Sequence, residues 1–193
     1  MADPANECFA LRREDGSLTG EIKLRALVHR DGDLHGASHV FLARLRGERA
    51  ELLLQKRSAQ KDSFPGLYDI SAAGHLDPGE DFAAARRELA EELGVTGKEP
   101  EFLFAQRNEY HGAFHGKPFH DNEIAGVYLL VLDRPEAAFT PEACEVESVH
   151  WFSVREILRA MRENDPRFCL REAEFCRLLP YLAQKFGIPV DKL

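Results

Sequence analysis

Cysteine is scarce in this chain. Cys8, Cys144, Cys169 and Cys176 are the only four, and they form no close C-x-x-C pair. That spacing argues against a zinc-ribbon or dithiol redox centre, and the thiols are expected to stay reduced. Net positive charge is absent as well. The 33 acidic side chains outnumber the 25 basic ones, giving −8, a field that repels a phosphate backbone, so no nucleic-acid partner is expected. No window approaches the roughly 18 to 20 apolar residues of a membrane span. The opening MADPANECFALRREDGSL lacks the apolar core of a secretion signal. No membrane partner and a cytoplasmic location follow as expectations. Internal repeats and low-complexity linkers are also missing, and 14 Gly and 10 Pro among 193 residues fit neither a collagenous nor a disordered class.

What is present suits one domain with a sizeable core, since 44% of the side chains are apolar. Residues 7–12 and 19–24 flank the turn chemistry of Glu14-Asp15-Gly16-Ser17, which predicts an N-terminal hairpin. A second hairpin is predicted from residues 39–45 (HVFLARL) and 50–55 (AELLLQ), and a short strand from residues 68–72. The period then changes. Phe82, Ala85, Leu89 and Leu93 recur at three and four, with Asp81 placed to cap and Gly94 to stop, predicting a helix over 81–93. Strands over 101–108 and 124–133 enclose a predicted loop at 109–120; helices from Ser153 and over about 171–186 follow. This order argues for an α+β fold, a mixed sheet with helices packed on it.

At about 100° per residue, Glu88, Glu91 and Glu92 share a stripe beside the apolar one. Like charges at i and i+4 cost a few tenths of a kcal/mol, so the Glu88–Glu92 pair invites a cation between them. Mg²⁺ and Mn²⁺ are hard ions that take oxygen ligands and exchange waters for phosphate oxygens. A solvated acidic face, partly neutralised by Arg86 and Arg87, is the competing account.

The loop ahead of the helix shifts that balance. GHLDPGEDFAAARRELAEELGV resembles the signature of the Nudix hydrolases: Gly74, five residues, Glu80, then Arg87-Glu88-Leu89-Ala90-Glu91-Glu92-Leu93-Gly94-Val95. Six residues separate Glu80 from Arg87 where the family pattern has seven, which puts the placement of Glu80 in question. The resemblance implies an α/β/α sandwich around a mixed sheet, with an N-terminal hairpin at about 7–25, a Nudix core at 26–160 and a C-terminal helical extension at 161–193. VHRDGDLHGASHVFL, LLLQKRSAQKDSFPGLYDISAAGH and HDNEIAGVYLL further resemble the branch similar to type I isopentenyl diphosphate isomerase.

That branch implies a second metal pocket. Its nearest matches here are His29, His35, His75, Asp121 and Glu123, with His35, His75 and Glu123 put forward as the second site; ordinary strand and turn histidines are the competing account. The isomerase Cys is replaced by Ala73, and a methyl group exchanges no protons. Hydrolysis is therefore expected, with isomerisation or a non-catalytic diphosphate-binding module as the alternatives. The Nudix resemblance implies a Mg²⁺ or Mn²⁺ dependent enzyme acting on a small organic diphosphate. Glu88, Glu91, Glu92 and Gly74 would form the metal site, with Arg87 orienting the glutamates. The base would be Glu88, Glu91 or Glu123. Lys56 and Arg57 would contact the diphosphate, and Tyr110 and Phe114 would shape the pocket for the remaining group. A homodimer through the extra hairpin or terminal helix is a further expectation.

Overall fold

The computed structural model describes residues 6–81 and 84–193. In chain order its strands and helices are β1 (Cys8–Arg12), β2 (Leu18–Leu24), α1 (Arg25–Asp31), β3 (His35–Arg46), β4 (Arg49–Arg57), β5 (Tyr68–Asp69), β6 (Ala72–His75), α2 (Ala85–Leu93), β7 (Glu101–Phe114), β8 (Lys117–Val131), β9 (Val146–Ser153), α3 (Val154–Arg162) and α4 (Glu172–Phe186). β1 and β2 form the expected hairpin. The other strands make one sheet, ordered β5-β4-β3-β8-β7, with β6 on β3 and β9 on β4. β3 and β8 run parallel and the remaining pairs antiparallel, so the sheet is mixed as expected.

Strand alternation sets the layers. Val40, Leu42 and Leu53 join Leu89 and Leu93 of α2 in one core, whereas Phe41, Ala43, Leu52 and Leu54 join Ile157 of α3 and Phe175, Leu178 and Leu182 of α4 in the other. Both faces of β3 and β4 are thus covered, and this is the α/β/α sandwich. Each fully buried Leu, Ile or Phe contributes about 1.5–3 kcal/mol, so these two clusters carry most of the folding energy. Among the described residues no helix is long and apolar enough to cross a membrane.

Three local expectations are corrected, and one element that was not expected is added. The predicted strand at 68–72 is broken in two, because β5 pairs with β4 and β6 with β3. Ser71 sits in the fork where β3 and β4 part: its hydroxyl donates to the Leu53 carbonyl at 2.5 Å and accepts from the Leu42 N–H at 2.7 Å. The helix over 81–93 begins only at Ala85, with Ala84 at its cap position rather than Asp81; Phe82 lies outside the described residues.

The predicted loop at 109–120 is instead the end of a long hairpin, β7 and β8 joined through His115 and Gly116 at φ +51° and +74°. Two consecutive left-handed residues give the tight turn whose twist suits a hairpin. Finally, the segment carrying His29 is helical. Seven residues ended by Gly32 at φ +73° leave too short a stretch for periodicity to register.

α3 begins on a complete capping box. Ser153 accepts from the Glu156 N–H, and the Glu156 carboxylate accepts from the Ser153 N–H at 2.8 Å. Ser153→Ala is expected to lower stability by about 1 kcal/mol. Urea unfolding followed by circular dichroism checks this, and an unchanged midpoint contradicts it.

Candidate active site

The fork between β3 and β4 opens a cleft of about 730 Å³, lined from both helical layers. On the α2 side lie Gly74, Arg87, Glu88, Glu91 and Glu92; on the α4 side lie His39, His75, Asp121, Glu123 and Arg171.

The signature helix does not present three equivalent carboxylates. Glu88 and Glu92 are buried, while the Glu91 side chain is 58% exposed. Glu92 is fixed by the Ala73 N–H at 3.0 Å and the Gln55 side-chain amide at 2.9 Å. Burial pushes the Glu92 carboxyl up to about 7, against the pull of Lys61 and the Ala73 N–H. Burial, with repulsion from Glu92, pushes Glu88 up to about 8. Both values mean that the anions lack sufficient positive charge nearby, the condition a bound cation reverses.

Arg87 organises this face. Its guanidinium grips Glu80 with two bonds of 2.8 Å, donates to Glu91 at 2.9 Å, lies 2.9 Å from Glu88 and reaches the His75 carbonyl at 3.2 Å. Glu80 therefore reaches its partner despite the shortened spacing, and is held further by the Asp77 N–H at 2.9 Å. Gly74 is required by contact: a Cβ there would sit 2.1 Å from Glu88 Oε1.

A second cluster faces this one. His29, His35, His75 and Asp121 each offer a ligand atom, all within 4.8 Å of one another. His35 Nδ1–H donates to the Asp33 carbonyl at 2.9 Å, which turns Nε2 toward the cluster. Nε2 lies 3.5 Å from Asp121 Oδ1, and neither atom makes a hydrogen bond among the described residues. Two buried polar atoms without hydrogen-bond partners are satisfied by a cation shared between them. Burial and the nearby Arg25 hold His75 well below the usual imidazole range, hence neutral and competent to ligate. Phe9 stacks on His35 and His75 with centroids 5.0 and 4.4 Å away, walling the cluster. Three imidazoles and a carboxylate fit a divalent transition ion.

Membership of that cluster corrects the expectation of His35, His75 and Glu123. His29 and Asp121 belong to it, whereas Glu123 Oε1 is engaged by Asn108 at 3.0 Å, His39 at 3.2 Å and Arg171 at 3.4 Å. Burial opposes the Glu123 charge, but His39 and Arg171 outweigh it and hold the carboxyl well below its usual range. Lys56 is a second correction. Strand alternation turns it away from Arg57, out of the cleft lining and onto Glu147 at 2.7 Å. Lys61, paired with Glu145, lines the cleft together with Arg57, Arg25 and Arg171.

Tyr110 and Phe114 do not line the cleft but pack on Phe64 at 4.8 and 4.9 Å; the half-buried Phe64 and Phe119 line it. Phe64 holds φ +49°, a strained conformation for a bulky side chain. No sequence pattern pointed to Lys61, Phe9, Phe64 or Glu174.

The NUDIX domain family matches residues 35–172, and the chain therefore belongs to the Nudix family. A plant protein named Nudix hydrolase 3, from Arabidopsis thaliana, is 39% identical over 97% of this chain; the chain spans about a quarter (25%) of that relative. An isopentenyl-diphosphate Delta-isomerase from Ruegeria pomeroyi is 33% identical, covering 80% of this chain and 81% of its own length. The fold is shared with DR0079 from Deinococcus radiodurans, at TM-score 0.60 and 20% identity over 81% of this chain and 90% of that one.

Gly74→Ala is expected to drive the Glu88 carboxylate, the free end of its side chain, from its place with little change in stability. A crystal structure of the variant checks this; a Glu88 carboxylate left where it is would contradict the contact.

Proposed function

We propose that this protein hydrolyses the diphosphate linkage of a small organic diphosphate with the help of Mg²⁺ or Mn²⁺. One observation carries the proposal: Glu88 and Glu92 are buried side by side at the floor of a cleft whose other walls bear Arg25, Arg57, Lys61 and Arg171. Anionic and cationic groups in one cleft suit a substrate that brings a cation and phosphate oxygens together.

Glu88, Glu91 and Glu92 would hold the hard ion, which when bound neutralises phosphate oxygens and lowers the pKa of water. Arg87 keeps Glu80, Glu88 and Glu91 in register. Arg57 and Lys61, rather than Lys56, receive the diphosphate. Glu88 and Glu91 are the carboxylates suited to accept the proton of attacking water; Glu123 is a fixed anion with an oxygen already engaged by three donors. Phe64 and Phe119 border the space for the remainder of the substrate, backed by Tyr110 and Phe114.

Isomerisation is the less favoured reading. Moving a proton along a carbon chain needs a donor and an acceptor on opposite sides of the substrate. Beside Ala73, the pair at hand is His39 and Glu123, which face each other at 3.2 Å with no room for a carbon between them. A binding-only module is also disfavoured, because the shortened signature still brings Glu80 to Arg87. Thiols at all four cysteines suit the cytoplasm. The exposed Ile22 and Leu24 of β2 support a homodimer, for which size-exclusion chromatography should give a dimer volume.

Phosphate-release assays across nucleoside diphosphate sugars, dinucleoside polyphosphates and isoprenoid diphosphates should show turnover with Mg²⁺ or Mn²⁺ and none after chelation. Glu92→Gln keeps the shape and removes the charge. It should lower turnover by roughly a hundredfold or more; a wild-type rate would remove Glu92 from the site.

A further inference from the structure

The proposed hydrolysis leaves one buried acid without a task. Glu174, in the first turn of α4, is 2% exposed, a rare environment for a carboxylate, and lies outside the signature. Its oxygens face His39 Nδ1 at 3.0 and 2.9 Å, and Oε2 also accepts from the Asn108 amide at 2.9 Å. The other ring nitrogen of His39 faces Glu123 Oε1 at 3.2 Å. Both nitrogens meet carboxylate acceptors, so both must carry hydrogen. Arg171, at the cap position of the same helix, donates to Asp121 Oδ2 at 2.5 Å and lies 3.4 Å from Glu123.

Three carboxylates in so small a volume would repel one another apart. His39 and Arg171 interleave with Asp121, Glu123 and Glu174, so that each carboxyl has a donor against it. Asp121 is thereby held with Oδ1 turned toward His35.

We propose that Glu174 and His39 are positioning residues that tie α4 to Glu123 and, through Arg171, to Asp121. Docking of the C-terminal helix then sets the aim of the histidine-lined cluster toward a divalent cation. The effect on kcat rests on the hydrolase reading above; the effect on metal affinity rests on the geometry of the cluster itself. Arg171 lies directly behind the ligating Asp121, a place where loss of a partner typically costs roughly 10–100-fold in metal affinity or activity, and Glu174 and His39 act on it at a further remove. A brace that served only to hold α4 would change stability alone.

The test uses the full chain with Glu174→Gln, His39→Gln and both together. Zn²⁺ affinity of the metal-free protein is read by competition with a chromogenic chelator, with His75→Ala as the reference for loss of the cluster. kcat and KM are measured with Mg²⁺ on a diphosphate that the wild type turns over. Each single substitution should lower kcat and Zn²⁺ affinity by roughly threefold to tenfold, below the effect of losing a partner bonded to a ligand, with KM little changed. The double variant should be no worse than the poorer single one, because the two act in series.

Unchanged kcat and Zn²⁺ affinity with a lowered melting temperature would overturn the proposal, as would losses that multiply in the double variant. Should Glu174→Gln not fold, Glu174→Asp keeps the charge but shortens the reach and gives the same readouts. An inactive wild type whose variants still lose Zn²⁺ affinity would sink the hydrolase reading and leave the positioning role standing.

Discussion

Burial of carboxylate charge is the constraint to which the cleft answers. An ionised acid taken from water costs several kcal/mol unless a cation or strong donors replace the solvent. This protein meets that cost in two ways. Around Glu123 and Glu174 the compensation is internal, supplied by His39, Arg171 and Asn108. Around Glu88 and Glu92 it is incomplete, as their raised carboxyl pKa values record. The first group is built to stay as it is, the second to receive something positive.

The fork in the sheet makes this contrast available. β3 carries β4 on one part of its edge and β6 on another, so the segment from Tyr68 to His75 crosses from one partner to the other. Ser71 satisfies the backbone groups at the parting, which would otherwise be buried without partners. Glu92 is fastened to the Ala73 N–H immediately beyond it. The helix bearing the acids and the strand bearing the histidines thus share one anchor, and the cleft inherits its shape from a hydroxyl no motif would single out.

Much of the fold and part of the site were legible in the sequence. Helical period and strand alternation located α2, α4, β3 and β4, because apolar faces must repeat to be buried together. The spacing of Arg87, Glu88, Glu91 and Glu92 made the acidic face visible, since a single helix carries all four. The histidine cluster was visible only through resemblance; its members come from α1, β3, β6 and β8, and no local pattern joins them. The far end of the β7–β8 hairpin was misread as a loop because both its faces are polar or half-exposed, so alternation gives no apolar signal there. Lys61 and Glu174 were missed for a related reason: a lone charged residue reads as surface until the tertiary fold buries it.

The parallel pairing of β3 with β8 has one more consequence. It sets His35 beside Glu123 and His39 beside Val127, although four strands and a helix intervene. Parallel neighbours of this kind meet only after a long loop closure, whose entropic cost grows with the chain between them. The candidate cleft takes residues from both strands, so it exists only where that distant contact is made, and no local segment of the chain carries it alone.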